Sequence, residues 1–310
     1  MDYNAGADPA AAAALAKSAD VAIVFVNQPT SEGRDVDSLS LPDDQDKLVN
    51  AVAAANRHTI VVLETGGPVS MPWIGEVSAA IEAWYPGIRG AEAVANILFG
   101  DVNPSAKLPM TFAKAETDLP HLKIAGPPPP PPPTAEQLAT GGTPPFVASP
   151  GGRGGRGGGR GAMAPFDIPY PEGLKVGYKW YDAQDKQPQF AFGFGLSYTT
   201  YAYSSLTVTP GAQPKVTFTV KNTGKRAGAE IAQVYAQLPP AAAEPPRRLV
   251  AWDKIQLAPG ESKTVSLALE PKFLSIFNAE RDAWDLVPGD YRLFVGASSR
   301  ETPLSAALRM

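Results

Sequence analysis

Val21-Ala22-Ile23-Val24-Phe25-Val26, running into Asn27-Gln28-Pro29-Thr30-Ser31-Glu32-Gly33-Arg34-Asp35, is the stretch whose reading decides the fold. An unbroken apolar run closed by a polar turn is the pattern of a parallel strand buried on both faces. Upstream, the alanine-rich residues 8–19 favour a helix. Downstream, Pro42 suits a first helical turn, and Asp43, Asp44 and Asp46 suit its positive end. Leu48, Val52 and Ala55 share one face of that segment, which Arg57 closes. Thr59-Ile60-Val61-Val62-Leu63 repeats the buried-strand pattern. A second amphipathic helix is expected over residues 90–99 through Ala91, Val94, Ala95 and Leu98, with Gly100 as its left-handed cap. Strands alternating with helices imply a mostly parallel α/β sheet covered on both faces.

The pattern changes twice further on. From Gly126, seven prolines (Pro127 to Pro133) precede a glycine-rich tract from Gly141 to Gly161 that carries Arg153, Arg156 and Arg160. Polyproline has no internal hydrogen bonds, and the Gly/Arg tract is too polar to form a core, so a disordered insertion is expected. A mobile lid beside a cleft is the functional alternative. After residue 200 the period becomes two: Val216, Phe218 and Val220 alternate with Lys215, Thr217 and Thr219 before the Asn222-Thr223-Gly224 turn. Val265, Leu267 and Leu269 alternate after Pro259-Gly260, and Tyr291 to Val295 follow Pro288-Gly289-Asp290. Short strands between turn signals argue for an antiparallel sandwich, with Trp252 and Trp284 expected in its core. The fold class is therefore α/β followed by all-β.

Composition excludes several functions. A formal charge of −4 argues against electrostatic binding of nucleic acid or an anionic membrane. Absence of cysteine rules out disulfides and thiolate metal sites. No run approaches the roughly 20 apolar residues of a membrane span. Met1 opens onto a polar segment rather than a charged region followed by an apolar one, so no export signal is read. Two histidines, His58 and His121, read as a helix-end and a linker residue, which makes a transition-metal site improbable. Gly66-Gly67 lacks the spacing of a nucleotide loop, and no cofactor is expected. G-x-S-x-G is absent, which leaves an esterase a minor alternative.

Glu32 carries the chemistry. Ligands of α/β sheets gather outside the carboxyl ends of the strands, and Gly33 allows the sharp turn that presents a side chain there. The plain alternative is one solvated loop charge. Its neighbourhood favours the first reading. The ordered blocks Ser31-Glu32-Gly33, Leu39-Ser40-Leu41-Pro42, Thr65-Gly66-Gly67-Pro68, Ala83-Trp84-Tyr85-Pro86-Gly87 and Leu98 to Phe112 resemble the C-terminal half of glycoside hydrolase family 3, which includes many β-glucosidases and β-xylosidases. Tyr170-Pro171-Glu172-Gly173, Val176 to Asp182 and Phe192 to Thr199 are similar to the segment joining that family's α/β domain to its fibronectin type III-like domain.

The resemblance implies four regions: an N-terminally truncated α/β domain over 1–125, the insertion over 126–163, a connecting segment over 164–200 and a fibronectin type III-like domain over 201–310. It implies that Glu32 is the general acid/base of a retaining β-glycosidase, in first place a β-glucosidase, acting on a β-glucoside or oligosaccharide. Asp35 is a secondary candidate for contacting sugar. Retaining enzymes need a second carboxylate about 5–5.5 Å away as nucleophile. In this family it comes from a (β/α)8 barrel, so the barrel partner is expected to be missing or separately encoded, and the chain to be the C-terminal portion of an enzyme. The compartment is left open by the sequence; for a full-length enzyme the resemblance implies periplasmic or extracellular placement. One departure stands out: the family has arginine directly after the aspartate, whereas here Val36 follows Asp35 and Arg34 precedes it. The rival from another class is a non-catalytic accessory or degenerate module.

Overall fold

The computed structural model describes residues 1–30, 36, 38–120 and 169–310. Glu32, Asp35 and the expected insertion over 126–163 lie outside the described residues. Residues 1–120 and 174–310 belong to one compact unit. It is α/β followed by all-β.

The α/β part begins with α1 (Pro9–Ala16), whose first turn is capped by the Asp8 carboxylate accepting from the Ala10 amide at 2.9 Å. The strand β1 (Ala22–Gln28) follows, then α2 (Gln45–Ala55), β2 (Thr59–Thr65), β3 (Ala79–Glu82) and α3 (Gly90–Leu98). The three strands form a parallel sheet in the order β1-β2-β3, with Gln28 opposite Thr65 and Leu63 opposite Glu82. Their carboxyl ends therefore lie along one edge. Ala12 and Ala16 of α1, Val49 and Val52 of α2, and Val24, Val26, Val61 and Leu63 of the sheet share a core with Leu41, Val69, Met71 and Trp73. Trp73 is fully buried, and its indole N–H donates to Asp46 Oδ1 at 2.7 Å. Burial raises the pKa of that carboxyl despite the hydrogen bond.

Two local expectations need correction. The second helix starts at Gln45 rather than Pro42, because Asp43 and Asp44 both adopt left-handed backbone (φ 56°), which short polar side chains tolerate. Coverage on both faces holds for the central strand β2, where Val61 and Val62 are buried, but not for β1. That edge strand buries Ala22, Val24 and Val26 against the helices and exposes Ile23 and Phe25. The α3 helix ends as expected, with Gly100 at φ +81°.

A short helix, α4 (Tyr178–Ala183), precedes the all-β part. There, β4 (Tyr201–Thr209), β5 (Lys215–Asn222), β6 (Gly228–Gln237), β7 (Arg248–Leu257) and β8 (Ser262–Ala268) are followed by β9 (Ser275–Asn278), β10 (Ala283–Leu286), β11 (Asp290–Gly296) and β12 (Leu304–Arg309). They form a four-stranded sheet β12-β11-β6-β7, a three-stranded sheet β4-β5-β8 and the hairpin β9–β10. Val216, Phe218 and Val220 point inward, as their alternation dictates, against Val234, Val250, Leu293 and Val295. Trp252 and Trp284 do not join them. They are 58 % and 50 % exposed. Trp252 pairs opposite Gln233, on the strand face away from the inward Ala232 and Val234. Trp284 lies on the β9–β10 hairpin against Phe277, with ring centroids 5.4 Å apart.

The two parts are joined by paired segments. Phe112 and Phe190 form a β-bridge, and Leu108 N donates to the Phe194 carbonyl at 2.8 Å. Asn103 donates to the Ala227 carbonyl and accepts from Ser197 Oγ and the Tyr198 amide. Lys107 forms a buried ion pair with Glu230 at 3.2 Å.

Candidate functional site

The edge formed by the carboxyl ends of β1, β2 and β3 gathers Gln28, Thr30, Thr65, Gly66, Glu82 and Tyr85. Glu32 and Asp35, placed here by the sequence, lie outside the described residues. What is described is where their segment leaves the sheet and returns to it.

On the departing side, the Tyr85 hydroxyl donates to the Gln28 carbonyl and stands 2.8 Å from Thr30 Oγ1. Because a phenol has one proton, Thr30 must be the donor in the second bond. Behind them, Gly66 has no room for a side chain: a Cβ there would sit 2.9 Å from Thr30 Oγ1 and 3.0 Å from the Tyr85 ring. On the returning side, the Leu39 amide donates to Glu116, the Leu39 carbonyl accepts from the Ser70 amide at 2.7 Å, and Leu41 is buried. Asn27 is held at both backbone atoms by the Gln45 side-chain amide, at 2.8 Å each.

Glu82 closes β3 and is the acid that sequence reasoning missed. Its Oε1 accepts from the Trp84 amide at 2.9 Å, and its Oε2 lies 3.2 Å from Thr65 Oγ1, which donates to the Gly67 carbonyl at 2.8 Å. Burial pushes the Glu82 carboxyl up to about 7, against the opposing pull of the Trp84 and Thr65 hydrogen bonds. The signal was present in the sequence: Glu82 follows Ala79-Ala80-Ile81 as Glu32 follows β1, an acid just after a short apolar run.

Trp84 carries backbone strain. Its φ is +54°, a region that bulky residues rarely occupy and that costs on the order of 1–3 kcal/mol. The Glu82 carboxylate on its amide and the packing of its ring against Phe112, with centroids 6.2 Å apart, hold it there. This conformation turns the chain so that Tyr85 reaches back over Gln28. Among the described residues, no group of three or more His, Cys, Asp or Glu could hold a metal ion.

Comparison with known proteins agrees with this architecture. Residues 4–198 match the glycosyl hydrolase family 3 C-terminal domain, and residues 230–299 match the fibronectin type III-like domain. A β-glucosidase of Rhizobium radiobacter is 34 % identical over 309 residues, covering 97 % of this chain and 34 % of the relative. Thermostable β-glucosidase B of Acetivibrio thermocellus is 34 % identical over 304 residues, covering 95 % and 36 %. Among solved structures, DesR, a β-glucosidase from Streptomyces venezuelae in complex with D-glucose, superposes with a TM-score of 0.80 at 38 % identity, covering 97 % of this chain and 35 % of that one. The chain thus spans about a third of the length of these relatives. The parallel sheet, the sandwich and the family match over most of the chain lead to one conclusion: the chain belongs to glycoside hydrolase family 3.

Proposed function

We propose that this chain supplies the general acid/base, Glu32, of a retaining β-glucosidase, with Asp35 contacting the sugar and the nucleophile provided by a barrel outside the chain. The observation that carries this reading is the placement of Thr30, the last described residue before Glu32, at the carboxyl edge of a parallel sheet, where α/β ligands bind. The β-glucosidase relatives support a β-linked glucoside as substrate. The division at residue 201 keeps the site within the α/β part and leaves the sandwich as scaffold. The second reading is a non-catalytic accessory role.

One experiment separates the two. The chain is joined to, or co-expressed with, the remaining part of the Rhizobium radiobacter β-glucosidase. Glu32→Ala should then lower turnover severely on glucosides with poor leaving groups, which need protonation, and much less in the glycosylation of activated aryl glucosides. Azide should partly rescue the variant by attacking the glycosyl-enzyme without base assistance, giving a β-glucosyl azide. Equal loss on both substrates without rescue would sink Glu32 as acid/base. No turnover in any assembly would favour the accessory reading.

A further inference from the structure

We propose that Tyr85 is a positioning residue for the acid/base, its hydroxyl fixing the point at which the Glu32 segment leaves β1. This inference rests on the reading of Glu32 given above. A general acid must hold its proton within hydrogen-bond reach of the leaving oxygen, so the backbone that carries it needs a fixed origin. Loops emerging from a strand end have no ladder partners to supply one. Here the Tyr85 hydroxyl supplies it, binding the Gln28 carbonyl at the end of β1 and taking the Thr30 hydroxyl proton at 2.8 Å, two residues before Glu32.

Three further features converge on that phenol. Gly66 leaves its place open, since a Cβ would press on both Thr30 Oγ1 and the Tyr85 ring. Trp84 takes left-handed backbone to aim the next residue at β1. The Glu82 carboxyl secures that turn through the Trp84 amide and joins it to Thr65 at the end of β2. A strained turn held by a buried acid is more than core packing needs from a tyrosine that is itself 53 % exposed.

The test has two readouts. In the 310-residue chain, amide exchange is followed over residues 26–41 in Tyr85→Phe and Thr30→Val, with Tyr198→Phe as control. The Tyr198 hydroxyl also binds a carbonyl, that of Ile97 at 2.7 Å, but away from this edge. Loss of one such bond should speed exchange about threefold to tenfold in the first two variants and leave it unchanged in the control. In the active assembly described above, Tyr85→Phe should lower kcat for poor leaving groups more than for activated ones while KM stays unchanged, because an acid out of place fails only in the proton-transfer step. A merely structural tyrosine would lower both alike. Unchanged exchange, or an equal loss on both substrate types, overturns the inference. Glu32→Ala measured in parallel decides the acid/base reading separately, so a failure of Tyr85 to position the segment is distinguishable from a failure of Glu32 as the acid.

Discussion

Lys107→Met should be among the most destabilising single substitutions in the protein. Lys107 and Glu230 are 10 % and 4 % exposed, with their charged atoms 3.2 Å apart, and they link the segment after α3 to β6. Lys107 also donates to the Gly195 carbonyl at 3.1 Å, and Glu230 accepts from the Tyr203 hydroxyl at 2.7 Å. Methionine matches the lysine stem but leaves Glu230 buried without its counter-charge. Removing one partner of a buried pair costs about 3–5 kcal/mol, much of it the desolvation of the survivor. For a unit of this size the loss corresponds to a fall in Tm of roughly 6–10 °C.

The pH dependence identifies the cause. Burial already raises the Glu230 pKa, the Lys107 charge being the largest opposing influence, and the substitution should raise it further. A carboxyl raised in the folded state above its ordinary 4.5 favours folding only while protonated. The deficit of Lys107→Met should therefore be smallest near pH 4.5 and grow toward neutrality. Adding Glu230→Gln removes the stranded charge and keeps an acceptor for Tyr203, so the double variant should regain about 1–2 kcal/mol at pH 7. Denaturant melts of the three variants across pH 4.5–8 provide the assay. A loss below about 1 kcal/mol that is flat with pH, or no recovery in the double variant, would refute the reasoning by showing that the pair is solvated.

Glu82→Gln should flatten another part of the stability profile. The carboxyl is raised from 4.5 to about 7, so its favourable contribution is fully present below pH 4.5 and disappears as pH rises through about 7. The native protein should lose stability across that window and the variant should not; parallel slopes in thermal melts would count against a buried Glu82. Gly66→Ala should cost about 1–3 kcal/mol and break the Thr30–Tyr85 hydrogen bond, because its Cβ meets both side chains at 3.0 Å or less. A crystal structure of that variant with the bond intact would show that the site has slack.

Periodicity made much of this protein legible. Continuous apolar runs marked β1 and β2, and the alternation of Val216, Phe218 and Val220 marked a half-buried antiparallel strand, because burial of backbone and side chains imposes those periods wherever such elements occur. The family blocks raised two expectations, a connecting segment over 164–200 and Glu32 as the acid/base. Tertiary structure decided what periodicity does not encode. Among the described residues α1 and α2 pack on only one face of β1, so the strand exposes Ile23 and Phe25 on the other although its sequence reads as buried throughout. Trp252 and Trp284 look like core residues by type, yet the sheet face and hairpin on which they fall leave them half-exposed. The carboxyl edge is the clearest case. Glu82, Tyr85, Thr65 and Thr30 come from three separate strand ends, and their hydrogen bonds exist only because the parallel register sets Gln28 beside Thr65 and Leu63 beside Glu82. Local sequence determines the strands, whereas the perturbed carboxyl and the anchored loop root arise from desolvation and contact between residues up to 57 positions apart.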